Sequence, residues 1–256
     1  MNSFSHNLQT ILFRAYSEMR ADVRSNSLGM ILWILEPLCY LGAFYIILSA
    51  LELRGGTSAV PFLLVGLVAW KWFATSVRRG AVALINAASI MQQINVPKII
   101  FLASTLLSSF YQFLIVFTLF IIFILLYGIE PNWGWINLTL IIILEFLLII
   151  GVAGLFAVLL PFSSDLKVVL TNGLTLAFFM SGIFFEIESV PESYQRILYL
   201  NPMASIIEAY RDILFTGTIR NWNALGIIAL ISLILIVLSL YLLKKWSRIY
   251  PRLLPT

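Results

Sequence analysis

Six apolar runs divide the sequence, at 28–51, 61–77, 99–127, 136–160, 168–186 and 223–243. A helix rises about 1.5 Å per residue and bilayer hydrocarbon is about 30 Å thick, so each run has roughly the length of a membrane-spanning helix. Backbone groups in hydrocarbon must be paired within the protein, and helices do this within a single segment. The expected fold is therefore an all-α integral membrane protein with six transmembrane helices. Composition agrees, with 61% hydrophobic and 11% charged residues, outside the range of soluble domains. Six spans and short loops make 1–256 a single membrane domain without room for a soluble catalytic domain. The run at 61–77 is the weakest, being short, starting at Pro61 and carrying Lys71.

Placing the N-terminus in the cytoplasm puts Arg14, Arg20, Arg24, Arg78, Arg79, Lys98, Lys167, Lys244, Lys245, Arg248 and Arg252 inside. Only Arg54, Arg196, Arg211 and Arg220 fall outside, and eleven against four obeys the positive-inside rule. Both termini are thus expected in the cytoplasm. Mostly polar residues precede the first run, unlike a cleavable signal peptide, so the N-terminus is expected to be retained. The net charge of +4 is a topology signal and does not point to nucleic acid.

Residues 5–24 place Leu8, Ile11, Leu12, Ala15, Met19 and Val23 at helical spacing, with Arg14, Ser17, Glu18, Arg20 and Arg24 off that stripe. Segment 1–27 therefore reads as an amphipathic helix, lying in the membrane interface or packed on the protein's own cytoplasmic face. Residues 78–98 are too polar to span and contain a Val96-Pro97 break, so a short cytoplasmic helix is expected at 81–97. On the external side, 190–216 reads as two short helices. Pro191 opens the first, and Asn201 caps a second that starts at Pro202 and ends at Gly217. Met203, Ile206, Ile207, Tyr210, Ile213 and Leu214 form its apolar stripe, with Glu208, Arg211 and Asp212 off it. Neither helix can cross the bilayer, so the pair either dips in and returns or lies across the outer surface.

His6 is the lone histidine and Cys39 the lone cysteine, so no His-based triad or His/Cys metal centre can form. No Gly-rich phosphate loop ending in Gly-Lys-Ser/Thr occurs. No catalytic residue, metal or bound cofactor is expected, and any nucleotide energy must enter through another subunit. Three ionisable residues lie deep in the runs, Glu36, Lys71 and Glu145. Such groups face a bundle interior and pair with one another. Glu36 with Lys71 is the preferred pair, either fixing helix register or lining a polar route. Trp33, Glu36, Tyr40 and Phe44 share one helical face, which suits either packing or the stacking of sugar rings. An ion-coupled carrier or a lipid-modifying enzyme using Glu36, Glu145 and Asp165 is a lesser alternative.

Four stretches, taken together, carry a family resemblance: RADVRSNSLGMILWILEPLCYL at 20–41, VPFLLVGLVAW at 60–70, INVPKIIFLAS at 94–104 and YLNPMASIIEAYRDILFTG at 199–217. In order and spacing they resemble the membrane subunit of type-2 ABC exporters of bacterial surface polysaccharides such as O antigen, capsule or teichoic acid. The resemblance implies a homodimeric permease of the bacterial inner membrane. Two copies of a cytoplasmic ABC ATPase would bind ATP and magnesium, and the cargo would be a lipid-linked glycan. A small lipid or drug is the alternative cargo. The resemblance makes 81–97 a coupling helix, with Asn86, Gln92 and Gln93 toward the ATPase. It makes 190–216 external gate helices, with Tyr194, Asn201, Pro202, Glu208 and Arg211. The first and fifth spans would flank the path, through Trp33, Glu36, Tyr40, Phe44, Phe178 and Phe185. Arg14, Arg20 and Arg24 would meet the anionic head of the cargo, or serve as ordinary anchors to anionic lipid.

Overall fold

The computed structural model describes residues 2–25, 59–93 and 96–246, with 35, 39, 46 and 250 as isolated positions. The candidate path residues Trp33, Glu36, Tyr40 and Phe44, and the proposed Glu36–Lys71 pair, lie outside the described residues. Among those described, every regular element is helical: α1 (Asn2–Ser25), α2 (Ala59–Ala81), α3 (Ala83–Asn86), α4 (Ala88–Gln93), α5 (Ile99–Leu126), α6 (Leu138–Leu159), α7 (Asp165–Phe179), α8 (Glu192–Leu198), α9 (Pro202–Arg211) and α10 (Trp222–Trp246). Short 3-10 turns at Trp133–Asn137 and Leu160–Phe162 extend α6 at both ends, and a π-helical turn at Asp212–Thr216 continues α9.

Four helical stretches are long and apolar enough to cross a membrane: Val60–Ala81, Ile99–Leu126, Trp133–Phe162 and Trp222–Trp246. They correspond to the second, third, fourth and sixth apolar runs. The run that looked weakest makes the most central helix, with 78% of its span buried against 28% for α5 and 22% for α10. Its hydropathy is diluted by Lys71, yet α5, α6 and α9 surround it. The outer helices α5 and α10 turn Ile122, Leu125, Leu233, Ile234 and Val237 outward, where lipid can cover them.

The fifth run is shorter as a helix than its hydropathy implies. α7 stops at Phe179 after 15 residues, about 22 Å at helical rise and less than the hydrocarbon thickness. Residues 180–186 are not part of it, so the expected span at 168–186 is corrected at its C-terminal end. Gly182 takes a left-handed conformation at φ 69°, which a side chain resists and which turns the chain back toward α8.

Close approach in the core is made by small residues. A Cβ added at Gly80 of α2 would lie 2.8 Å from the Ala153 Cβ of α6 and 2.8 Å from a Leu106 methyl of α5. Gly151 and Gly154 of α6 admit Leu235 and Ser239 of α10 in the same way, the small-residue contact expected where no hydrophobic force drives helices together.

α1 is docked on the protein. Its contacts climb α5 in step: Arg14 lies over the Phe101 ring, Glu18 accepts from Thr105 at 3.1 Å, and Asp22 accepts from Gln112 at 2.8 Å. The polar side thus faces inward with Ala15, while Leu8, Leu12, Phe13 and Tyr16 are exposed. The sequence stripe is real, but its outer apolar part is left for lipid.

Gly80→Val should lower the thermal midpoint of the purified chain in detergent, by an overpacking cost of about 1–3 kcal/mol. Gly173 on α7 has nothing within 4 Å of an added Cβ. Gly173→Ala should leave the stability unchanged or raise it by up to about 1 kcal/mol, read as an equal or higher midpoint.

Candidate functional site

The hairpin of α8 and α9 is set by local chemistry first. The Asn201 side chain accepts from the Met203 amide at 3.1 Å with Pro202 following in the first turn, and its own amide donates to the Ala177 carbonyl at 2.7 Å. One residue therefore starts α9 and ties it to α7. Gly217, left-handed at φ 76°, ends the π-helical turn. The stripe Met203, Ile206, Ile207, Tyr210, Ile213 and Leu214 is buried as its spacing predicts. So too are Arg211 and Asp212, expected off it, because α9 is wedged among α2, α6 and α10 and buries more than one face. Across its far end, the Trp135 indole donates to the Leu214 carbonyl at 3.4 Å.

Arg211 is the clamp of this hairpin. Its guanidinium donates to the carbonyls of Gly182 at 2.8 Å and Ile183 at 2.9 Å, and twice to that of Phe62, at 3.2 and 3.1 Å. It also lies 3.4 Å over the Phe62 ring. Three elements meet on one side chain: the end of α9, the 180–186 turn and the start of α2. The planar fork of arginine fits this set and an ammonium does not.

Beside the clamp is a polar cavity of about 70 Å³, lined by Glu188, Tyr199, Ser205, Glu208, Asp212, Arg220 and Asn221 among others. Arg220 bridges Asp212 at 2.7 Å and Glu188 at 2.6 Å. Glu208 is bound by the Tyr199 hydroxyl at 2.9 Å. Burial pushes the Glu208 carboxyl above its ordinary range, and the Tyr199 hydrogen bond and Arg220 oppose this only in part. Tyr199, Glu188 and Arg220 were not singled out from the sequence. Tyr194, on α8, is exposed and takes no part in the cavity lining.

Deeper in, Glu145 of α6 is fully buried. Its partner is not another ion but Tyr210 of α9, whose hydroxyl donates at 2.8 Å. Lys71 is half-buried on α2. Of the aromatic path candidates, Phe178 packs against Trp70 and Phe184, with centroids at 5.7 and 5.2 Å, and Phe185 is half-buried. The exposed surface of α7 mixes Lys167, Thr171, Asn172 and Thr175 with Val168, Val169, Leu176 and Phe179, and the two threonines return their hydroxyls to the carbonyls of Lys167 and Thr171.

The 81–97 segment forms two helices, α3 and α4, where one was expected. Ala83, Leu84, Ala87 and Met91 hold it to the core. Asn86, Gln92 and Gln93 are exposed together with Ser89 and Ile90. Just before it, Arg79 pairs with Asp22 of α1 at 2.7 Å and donates to Gln112 of α5 at 2.9 Å. Of the candidate head-group arginines, Arg14 is held by Glu18 at 2.8 Å, Arg20 is exposed, and the Arg24 side chain lies outside the described residues. Among the described residues, no cluster of His, Cys, Asp and Glu is arranged to hold a metal ion.

Residues 8–215 match the ABC-2 type transporter family. Two relatives from Klebsiella pneumoniae, both named O-antigen export system permease protein RfbA, are 27% and 25% identical over 229 residues, covering 89% of this chain and 88% of theirs. A protein of the same name from Myxococcus xanthus is 24% identical over 222 residues, 86% of this chain and 85% of its own.

Arg211→Lys should lose roughly 2–4 kcal/mol, because backbone carbonyls are left buried and unpaired. The check is a lowered thermal midpoint together with faster proteolysis within 180–186. Glu208 supplies a pH test. Its carboxyl is raised in the fold, so its contribution is fully present below the ordinary carboxylate range and is lost as pH rises through the raised value. Glu208→Gln should flatten this loss in pH-dependent unfolding and leave the protein no less stable at neutral pH.

Proposed function

The chain belongs to the ABC-2 type transporter family, an integral membrane permease, and on that premise we propose that it is the membrane subunit of an ATP-driven exporter of a lipid-linked, O-antigen- or capsule-like polysaccharide. The observation that carries this reading is the coverage of the likeness. The family match runs from α1 through the α3–α4 segment to the end of α9, and relatives named as O-antigen export permeases align over most of both chains.

In this reading two copies of the chain assemble in the bacterial inner membrane with both termini in the cytoplasm, joined by two copies of an ABC ATPase that binds ATP and magnesium. The ATPase engages the exposed side of α3 and α4 at Asn86, Gln92 and Gln93. ATP binding and hydrolysis favour one arrangement of that segment over another, and only such differential binding can shift the permease between states. The glycan path runs beside α7. Polar groups turned outward on a membrane helix belong against water or protein and not against lipid tails, and the exposed Asn172 with its neighbouring threonines supports that assignment. The amide and hydroxyls suit a sugar chain that slides without being held. The external hairpin, pinned by Arg211, closes the outer end as a gate.

On the inner side Arg20 is the arginine best placed for an anionic head group. It is exposed on the side of α1 that also carries Phe13 and Tyr16, and a guanidinium offers two parallel donors to phosphate oxygens.

The test is co-expression of the chain with its cognate ATPase, purification in detergent, and ATP hydrolysis measured with and without a lipid-linked glycan. A stable complex whose hydrolysis the glycan stimulates is the expected result. No complex with an ATPase would overturn the reading. Stimulation by small lipids alone would replace the cargo with the lipid or drug alternative. Arg20→Glu should impair export in cells without disturbing the complex.

A further inference from the structure

Glu145 has two carboxylate oxygens and one donor between them. Oε2 accepts the Tyr210 hydroxyl, whereas Oε1 is buried without a hydrogen-bond partner. Buried polar atoms in native proteins are seldom left so. A complementary orphan stands on the facing helix, since the Trp72 indole N–H of α2 is also buried and unpartnered.

The two lie at one level. α2 and α6 run side by side in the same direction, with Gly80 against Ala153. Eight residues back on each, from 80 to 72 and from 153 to 145, bring Trp72 opposite Glu145. Ring packing fixes the same register, because Trp72 stacks on Phe146, the residue next to Glu145, with centroids 6.0 Å apart. Trp72 itself is held by stacking on Phe113, with centroids 3.8 Å apart, so the Glu145 side chain is the group left to turn.

We infer that Glu145 is a positioning residue shared between two donors, Tyr210 of the external hairpin and Trp72 of α2, so that α2 registers whether the hairpin is seated. With the hairpin in place Tyr210 holds the carboxylate by Oε2 in an orientation that leaves Oε1 and the Trp72 indole unjoined. When Tyr210 withdraws, the carboxylate turns to Trp72. α2 leads directly from that point to Arg79, held by Asp22 and Gln112, and on to α3. Unpartnered buried hydroxyls of Thr75, Ser76 and Ser108 lie along the way, so this part of the core has polar contacts to exchange when α2 shifts. The inference concerns only helices of this chain and is independent of the cargo.

Its test needs neither ATPase nor glycan. The full chain, labelled with ¹⁵N at its tryptophan indoles and held in lipid nanodiscs, gives one indole resonance for each of seven tryptophans, and Trp72→Phe assigns that of Trp72. Tyr210→Phe, a conservative change that keeps the ring, frees Glu145. The Trp72 indole proton should then move downfield, as a newly made hydrogen bond requires, and Glu145→Leu added to Tyr210→Phe should abolish the movement. Phe117→Leu serves as control. It disturbs the packing around Tyr210, whose ring lies 6.3 Å from that of Phe117, without removing the hydroxyl, and should leave Trp72 where it was. An unmoved Trp72 resonance in Tyr210→Phe would overturn the inference, as would an equal movement in Phe117→Leu.

Discussion

A guanidinium buried against backbone carbonyls decides where α9 and the turn after α7 can go. Arg211 meets the carbonyls of Phe62, Gly182 and Ile183, and these belong to the start of α2 and to the turn after α7. The turn can exist only because Arg211 takes carbonyls that helix α7, ending at Phe179, does not. Arg211 in turn can be buried only because those carbonyls are there. Removing either partner leaves polar groups unpaired in a setting where that is expensive. The short helix α9 is consequently a built-in part of the helical core, although it is too short to span a membrane.

The same constraint continues inward. Tyr210, one residue before the clamp, finds Glu145; Glu145 lies level with Trp72; and α2 carries on to Arg79, Asp22 and Gln112 where α1 is fastened. Polar residues in a membrane helix bundle are few and costly. Here they gather on α2 and its neighbours and join the α8–α9 hairpin to the opposite end of α2, where α1 is fastened. α2 is the element that touches both ends of this chain of contacts, from Arg211 at Phe62 to Asp22 at Arg79. Its 78% burial suits a helix that transmits movement through packing contacts, whereas α5 and α10, largely open to lipid, support it from outside.

What the sequence made legible was what local chemistry decides. Asn201 as a cap, Pro202 in the first turn and Gly217 as a terminator act through neighbours a few residues away, and all three stand as read. Apolar runs gave the long helices for the same reason. What escaped is what depends on distant partners. Shortness, Pro61 and Lys71 make 61–77 the weakest of the runs, because hydropathy averages over a window and knows nothing of the helices that surround it. The fifth run seemed to extend to 186 because its residues are apolar, but Gly182 and a guanidinium far along the chain end the helix earlier. Glu145 was visible as a buried acid, and its partner was not, since Tyr210 sat in a stripe that read as simple packing. On α1 the polar residues Glu18 and Asp22 face inward because α5 and α2 supply Thr105, Gln112 and Arg79 to receive them.

The α8–α9 hairpin is seated in the core by buried polar contacts and does not merely rest on the surface. Hydrogen–deuterium exchange of the full chain in lipid nanodiscs measures this directly. The amides of 203–214 should exchange as slowly as those of α6, which is buried in the same core. Exchange of 203–214 as fast as that of the more exposed helix α8 would contradict the account.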